Sequence, residues 1–301
     1  MARLLRFATL VALATGLAHV ATAQDDMSDV TIETHAVAAG VHMLTGRGGN
    51  IGVSTGADGI VLIDDQYAPL HERIVAAVGA LQPGPVRFVL NTHWHGDHTG
   101  GNEALGRAGA LIVAHHAVRM RMGSEQFMKA FDRRVPASPP AALPVVTFGV
   151  DTTLHWNGDA LHVMHVPRAH TDGDAIVHFQ RANVLHLGDT FFAGRYPFID
   201  LDSGGSVEGL IQAVEFALGI ANEETRIIPG HGPLARRADL AAYRDVLVAG
   251  RDRVAAAIAA GKSLEDVVAA RPLAEYDEAW GGGFITPEGF LKILYTSLAG
   301  S

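Results

Sequence analysis

The chain has 301 residues, of which 48% are hydrophobic, and its formal net charge is −9. That size and hydrophobic content suit one large α/β domain or two small ones, and the 18% charged fraction argues against a disordered chain. The negative charge argues against a protein that binds nucleic acid through bulk positive charge.

Residues 1–23 have the features of a secretory signal peptide. Arg3 and Arg6 precede an apolar run at 7–20 that is too short to span a bilayer comfortably, and residues 21–23 have the A-x-A pattern of a cleavage site. We therefore predict an exported protein, periplasmic or secreted, with no membrane span after signal removal. An N-terminal membrane anchor is the alternative.

The next part of the chain predicts strands separated by glycine-rich turns. The run at 59–63 is wholly apolar and ends in Asp64 and Asp65, which is typical of a strand covered on both faces. Helical spacing at 70–81 ends at Gln82-Pro83-Gly84-Pro85. The predicted strands of this part are at 30–34, 41–45, 50–55, 59–63, 86–90 and 110–114, with a short helix at 101–107 before the last.

Residues 115–144 interrupt this pattern with four prolines. We predict one or two helical turns and a proline-stiffened loop, which is either a lid over a site or a plain surface excursion. Strands are then predicted at 145–148, 152–156, 160–166, 175–179, 183–187 and 225–228, and helices at 206–218 (with Ser206 as N-cap), 238–260, 263–270 and 287–298. No linker long enough to divide the chain is visible, so residues 24–301 are predicted to form a single domain.

The most distinctive stretch is 92–101, which holds three histidines and an aspartate within six positions: His93, His95, Asp97 and His98. It lies between a predicted strand and a predicted helix, where side chains can converge on one point. Imidazole and carboxylate are ligands that zinc and similar metals prefer, and the chain has no cysteine that could supply a thiolate. The simpler alternative is a polar turn that happens to be rich in histidine.

Three later residues of the metal-binding type also follow apolar strands: His170, Asp189 and His231. Glycine or proline flanks each of them, so each one alone could be an ordinary turn residue. Together with the stretch 92–101, the order His-x-His-x-Asp-His, then His, Asp and His, resembles the metallo-β-lactamase superfamily. Asp64, at the end of a strand before the motif, adds to the resemblance.

The resemblance covers roughly residues 40–235 and implies an α/β fold, a four-layer αββα sandwich with the metals at one edge. Asp64 would hold a ligand imidazole by a hydrogen bond. The implied ligands are His93, His95 and His170 for the first metal and Asp97, His98 and His231 for the second, with Asp189 bridging the two.

The function that follows is that of an exported, dinuclear hydrolase acting on a small molecule. Two divalent ions, zinc first and iron or manganese as alternatives, would share a hydroxide that attacks the carbonyl of an amide, ester, lactone or thioester, β-lactams included. Asp97 would help to stabilise the leaving group. Some lactamases have cysteine or serine where Asp189 stands, which places this chain nearer the glyoxalase II, lactonase and general hydrolase branches. The alternatives are a mononuclear iron dioxygenase of the persulfide-oxidising type and a non-catalytic protein that binds metal or ligand.

Two residues are candidates for substrate contact. Arg195 follows Asp189 in a loop that should border the pocket, where it would bind a substrate carboxylate or serve structure alone. Trp94 lies between two predicted ligands and faces either substrate or core. The pair His115 and His116 is predicted to lie on the surface.

Overall fold

The computed structural model describes residues 26–300, and the predicted signal peptide lies outside them. The strands are β1 (Glu33–Ala38), β2 (Val41–Thr45), β3 (Ile51–Ser54), β4 (Ile60–Ile63), β5 (Val86–Leu90), β6 (Leu111–His115), β7 (Gln126–Met128), β8 (Arg133–Val135), β9 (Val146–Phe148), β10 (Asp151–Trp156), β11 (Asp159–His165), β12 (Ala175–Phe179), β13 (Val184–His186), β14 (Arg226–Ile228) and β15 (Ala235–Arg236). The helices are α1 (His71–Leu81), α2 (Gly96–Thr99), α3 (Asn102–Arg107), α4 (His116–Met122), α5 (Val207–Ile220), α6 (Arg237–Ala259), α7 (Leu264–Ala270), α8 (Asp277–Trp280) and α9 (Pro287–Ala299).

The first sheet has seven strands in the order β1-β2-β3-β4-β5-β6-β9. Strands β1 to β4 are antiparallel, and β4, β5, β6 and β9 are parallel. Strand β4 shows why a wholly apolar run was needed. Because side chains alternate along a strand, Val61 and Ile63 pack toward the second sheet while Ile60 and Leu62 pack toward α1. The predicted burial of both faces is confirmed.

The second sheet has six strands in the order β10-β11-β12-β13-β14-β15. Its inner face contributes Leu161, Val177 and Val184 to the cluster between the sheets, and its outer face packs against α5, α6 and α9. Each fully buried side chain of this kind contributes about 1.5–3 kcal/mol to folding. Helices thus cover both outer faces, and the predicted αββα sandwich is confirmed.

Two predicted elements differ from the structure near the N-terminus and in the middle of the chain. The strand predicted at 30–34 begins at Glu33, because Arg73 of α1 binds the carbonyls of Met27 and Val30 and holds that segment in a turn. Residues 126–135 form a hairpin, β7 and β8, where only a loop was predicted.

Several contacts fasten the 126–135 hairpin to the rest of the fold, among them two from Lys129. The backbone nitrogen and the ammonium group of Lys129 bind the two carboxylate oxygens of Asp202 at 2.9 and 2.8 Å.

Elsewhere the predicted helices are confirmed, and Ser206 caps α5 by accepting a hydrogen bond from the Gly209 nitrogen. Among residues 26–300, no helix has both the length and the apolar character to span a membrane.

Candidate metal centre

The seven predicted ligands converge at one edge of the sandwich, on segments that follow strands β5, β11, β13 and β14. They form two groups whose ligand atoms lie within 4.8 Å of one another: His93, His95, His170 and Asp189 in the first, and Asp97, His98 and His231 in the second. Parallel strands bring their carboxyl ends to the same edge, which is why distant ligands meet there.

The first group is buried. His170 Nε2 lies 2.9 Å from His95 Nδ1 and 3.5 Å from Asp189 Oδ2, and His93 Nε2 lies 3.8 Å from the same oxygen. His95 therefore faces the centre with Nδ1, whereas the other two imidazoles face it with Nε2.

The second group is closer to solvent. His231 Nε2 lies 3.3 Å from Asp97 Oδ2 and 3.4 Å from His98 Nε2. The side chains of Asp97 and His231 are 22% and 20% exposed, whereas His98 is fully buried. A substrate can therefore approach from the side of Asp97.

Asp189 lies between the groups, with one oxygen toward each. Its Oδ2 faces His93 and His170, while its Oδ1 lies 3.0 Å from His98 Nε2 and 3.4 Å from His231 Nε2. One carboxylate oxygen of Asp189 thus faces each of the two groups.

Asp64 lies behind the ligand imidazoles. It is fully buried and accepts three hydrogen bonds of 2.7 Å, from the Thr92 nitrogen, the Thr92 hydroxyl and His98 Nδ1. Because the Thr92 hydroxyl donates to Asp64, its oxygen can accept a hydrogen bond from His93 Nδ1 at 3.1 Å. Both imidazoles thus use their outer N–H groups, which leaves their Nε2 atoms for the centre.

Asp200 is a supporting residue that sequence reasoning missed. It is buried and accepts a hydrogen bond of 2.9 Å from His95 Nε2, which turns Nδ1 of that imidazole toward the centre. Burial raises the pKa of Asp200, but the hydrogen bond and charge of His95 outweigh it and lower the pKa to about 2. Nothing in the local sequence distinguishes Asp200 from other loop aspartates.

The segment from Asp189 to Asp200 touches several ligands along its length. The ring of Phe192 stacks on His231 with a centroid distance of 5.3 Å, and the Phe198 carbonyl accepts a hydrogen bond of 2.9 Å from His170 Nδ1. One loop thus contributes a ligand and orients others.

Two glycines make room for this packing. A Cβ at Gly49 would overlap the His98 imidazole, and a Cβ at Gly230 would overlap Asp189 Oδ1. Any side chain at either position would displace a ligand.

The imidazoles divide into two electrostatic classes. Burial lowers the pKa of His93 well below its usual value and that of His170 to about 4. For His98 and His231, burial also disfavours charge, but the carboxylates of Asp189 and Asp97 outweigh it; they raise the pKa of His98 strongly and that of His231 to about 9. Protons on the second pair of imidazoles therefore balance the carboxylates where cations would otherwise do so.

Unpaired buried atoms indicate what the centre is built to hold. His93 Nε2 and Asp189 Oδ1 are buried and make no directional hydrogen bond. Buried polar atoms are rarely left unpaired, and imidazole and carboxylate are ligands for divalent zinc, iron or manganese. The donor set therefore fits divalent cations.

Tyr67 is a second residue that sequence reasoning missed. Its ring lies beside Gly48, which in turn packs against Asp97. Burial and the charge of Asp97 raise the pKa of the Tyr67 hydroxyl to about 12. The phenol is thus neutral at pH 7.

The two candidates for substrate contact are placed differently. Trp94 is 4% exposed, packs with Val118 and Met122, and donates a hydrogen bond to the Ser203 hydroxyl, so it faces the core and not substrate. Arg195 is half-buried beside Gly283, and its guanidinium forms no hydrogen bond or ion pair within residues 26–300. Its contact with a substrate carboxylate stays a prediction.

The predicted surface pair of histidines is wrong for one member. His116 is exposed, but His115 is 3% exposed and stacks on His165 with a ring-centroid distance of 3.8 Å. His115 Nε2 donates to the Gly149 carbonyl, and His165 Nδ1 donates to the Asp174 carbonyl. Strand β6 ends one residue later than predicted, which turns His115 inward.

We expect this histidine stack to make folding sensitive to mild acid. Burial and the charges of His165 and His116 lower the pKa of His115 to about 4, from 6.5 in the unfolded chain. The unfolded chain therefore binds the extra proton first, so stability is full above pH 6.5 and falls as the pH drops toward 4. In urea unfolding of metal-free protein, His115→Gln should lose about 2 kcal/mol less stability than wild type over that range.

The matched control for the stack is His116→Gln, which changes the exposed neighbour. It should keep nearly the wild-type pH dependence. Parallel curves for wild type and His115→Gln would contradict the expectation.

Comparison with known proteins agrees with this geometry. The sequence profile described as the metallo-beta-lactamase superfamily matches residues 44–231. The chain is 31% identical over 192 residues to a hydroxyacylglutathione hydrolase of Polaromonas sp. (strain JS666), covering 60% of this chain and 64% of that protein. It is also 31% identical over 167 residues to a hydroxyacylglutathione hydrolase of Nitrosococcus oceani, covering 54% of this chain and 55% of that protein. The chain thus spans less than two thirds of the length of these relatives.

A solved structure shows the same fold. The metallo-beta-lactamase from Pontibacter korlensis superposes with a TM-score of 0.58 at 21% identity, over 72% of this chain and 99% of that one. The profile match covers more than half of the chain, two sheets are enclosed by helices, and histidines and aspartates cluster at one edge. The chain therefore belongs to the metallo-β-lactamase superfamily.

Proposed function

We propose that the chain is an exported, dinuclear metal-dependent hydrolase whose preferred substrates are thioesters, with esters and lactones as related substrates. The observation that carries the proposal is Asp189, which directs one carboxylate oxygen to each of two ligand groups. A mononuclear iron dioxygenase would need only the first group. The thioester preference is supported by the likeness to two hydroxyacylglutathione hydrolases, whose named substrates are thioesters.

The side chains of the centre have separate tasks in this reaction. Divalent cations held there would polarise the substrate carbonyl and lower the pKa of water. Asp64 and Asp200 hold His98 and His95 in fixed orientations.

Asp97 is the group that we assign to the leaving atom. Burial raises its pKa, but the charges of His98 and His231 outweigh burial and lower it to about 2, so the carboxylate stays ionised. It is more exposed than Asp189, at 22% against 5%. Its Oδ2 can therefore accept the proton that the attacking water loses and pass it to the departing sulfur, oxygen or nitrogen.

A hydrolysis screen of the zinc-loaded protein tests the proposal. The panel is an acyl-glutathione thioester, an aryl ester, a lactone and a penicillin, with His95→Ala as the inactive control. We expect thioester hydrolysis with kcat/KM at least about tenfold above that for penicillin, and a metal content of two equivalents.

Three outcomes would contradict the proposal. Two bound metals without hydrolysis of any substrate would indicate a binding protein. One iron with oxygen uptake on a persulfide would indicate a dioxygenase. Penicillin as the preferred substrate would move the assignment to the lactamases.

Export is tested separately, by sequencing the N-terminus of protein recovered from the periplasm or medium. The mature protein should begin at Gln24.

A further inference from the structure

Three phenylalanine rings form a continuous row from the metal centre to the protein surface, and we call them the aromatic strip. Phe198 lies innermost, with ring centroids 5.8 Å from His170 and 6.1 Å from His95. Phe131 follows at 5.0 Å from Phe198, and Phe284 follows at 5.7 Å from Phe131. These distances are those of rings in contact.

The exposed fraction of the rings rises along the strip. It is 8% for Phe198, 40% for Phe131 and 75% for Phe284. A large aromatic ring that stays in water forgoes the gain it would have on burial, so a row of exposed rings that starts at a metal centre is suited to covering an apolar ligand.

The strip comes from three separate parts of the chain, and contacts hold the two inner parts in place. Phe131 lies in the 126–135 hairpin, which the two contacts from Lys129 to Asp202 fasten down. The carbonyl of Phe198 accepts the hydrogen bond from His170 Nδ1, so the inner end of the strip is fixed relative to a ligand.

We propose that the aromatic strip binds an apolar portion of the substrate next to the bond that is hydrolysed, which makes acyl chains or rings of several carbons the preferred substituents. This inference rests on the proposed hydrolase function and adds its substrate class. An apolar chain that leaves the carbonyl at the centre would lie along Phe198 and Phe131 and displace water from Phe284. Each methylene buried there should raise kcat/KM about fourfold, mainly through KM.

A series of acyl thioesters from acetyl to octanoyl tests the strip in the zinc-loaded full-length protein. We expect the octanoyl-to-acetyl ratio of kcat/KM to be at least about 100 in wild type and to fall at least about tenfold in Phe131→Ala and in Phe284→Ala. The matched control is Phe216→Ala, since Phe216 is 47% exposed but lies on α5, outside the strip. It should keep the wild-type ratio.

A binding measurement separates the strip from the hydrolase function. Calorimetric titration of octanoate and of acetate into the metal-free protein should show tighter binding of octanoate, weakened at least about fivefold in Phe131→Ala. If no thioester is hydrolysed but octanoate binding depends on Phe131, the hydrolase function fails and the strip stands. The opposite outcome is that thioesters are hydrolysed while Phe131→Ala and Phe284→Ala leave both the octanoyl-to-acetyl ratio and the octanoate affinity unchanged. In that case the strip is overturned and the hydrolase function stands.

Discussion

Replacement of Asp189 by asparagine is expected to remove both metals together and to lower kcat/KM by at least about 10³-fold, which corresponds to about 4 kcal/mol of lost transition-state stabilisation. The substitution keeps the shape of the side chain but removes the negative charge that faces four imidazoles at 3.0 to 3.8 Å. One of its two atoms also becomes an N–H donor, which cannot bind a cation. Metal analysis after dialysis against zinc, together with thioester hydrolysis, would measure both effects.

Asp174→Asn is the matched control for this experiment. Asp174 is also buried, but burial raises its pKa to about 8, so it is largely neutral at pH 7 and an amide resembles it closely. We expect two metals and activity within about threefold of wild type. If Asp189→Asn retained both metals, Asp189 would not be the bridging ligand.

Replacement of Asp64 by alanine should weaken both the fold and the centre. It would leave the Thr92 nitrogen, the Thr92 hydroxyl and His98 Nδ1 without their buried acceptor. Since each unsatisfied group costs about 1–3 kcal/mol, we expect the free energy of unfolding to fall by at least about 3 kcal/mol. The His98 imidazole would also lose its orientation, which should lower metal affinity about 10- to 100-fold.

Denaturant unfolding of metal-free protein and competition titration with a zinc chelator would measure these two effects. The neighbouring substitution Asp65→Asn is the control, because burial already raises the pKa of Asp65 well above its usual value and its single backbone contact, to the Gly101 nitrogen, can be kept by an amide oxygen. Unchanged metal affinity in Asp64→Ala would show that His98 is oriented by other groups.

The ligand set was predictable because the order of its residues along the chain resembles that of a known superfamily. The local pattern, metal-type residues that follow apolar strands, indicated only that such side chains could meet, since parallel strands deliver their ends to one edge. The two-faced burial of β4 was likewise encoded in an unbroken apolar run. These features depend on neighbours in sequence, which is what a single sequence displays.

The features that escaped prediction depend on how distant segments return. Asp200 reaches His95 only because the loop after Asp189 folds back across the centre. Strands β7 and β8 have only three residues each, and two of the three residues in β8 are arginines. Such short strands show no alternation of polar and apolar residues. Trp94 points inward because it packs with Val118 and Met122 of α4 and donates a hydrogen bond to the Ser203 hydroxyl, all of them distant in sequence.

The loop from Asp189 to Asp200 has a consequence for the way in which the centre fills. It supplies the shared carboxylate, stacks Phe192 on His231 of one group, and binds His95 of the other group through Asp200. Because one segment serves both groups, a change that displaces it should weaken both groups together. We expect Gly230→Ala, whose added Cβ would overlap Asp189 Oδ1, to lower the affinity for the first and for the second zinc alike.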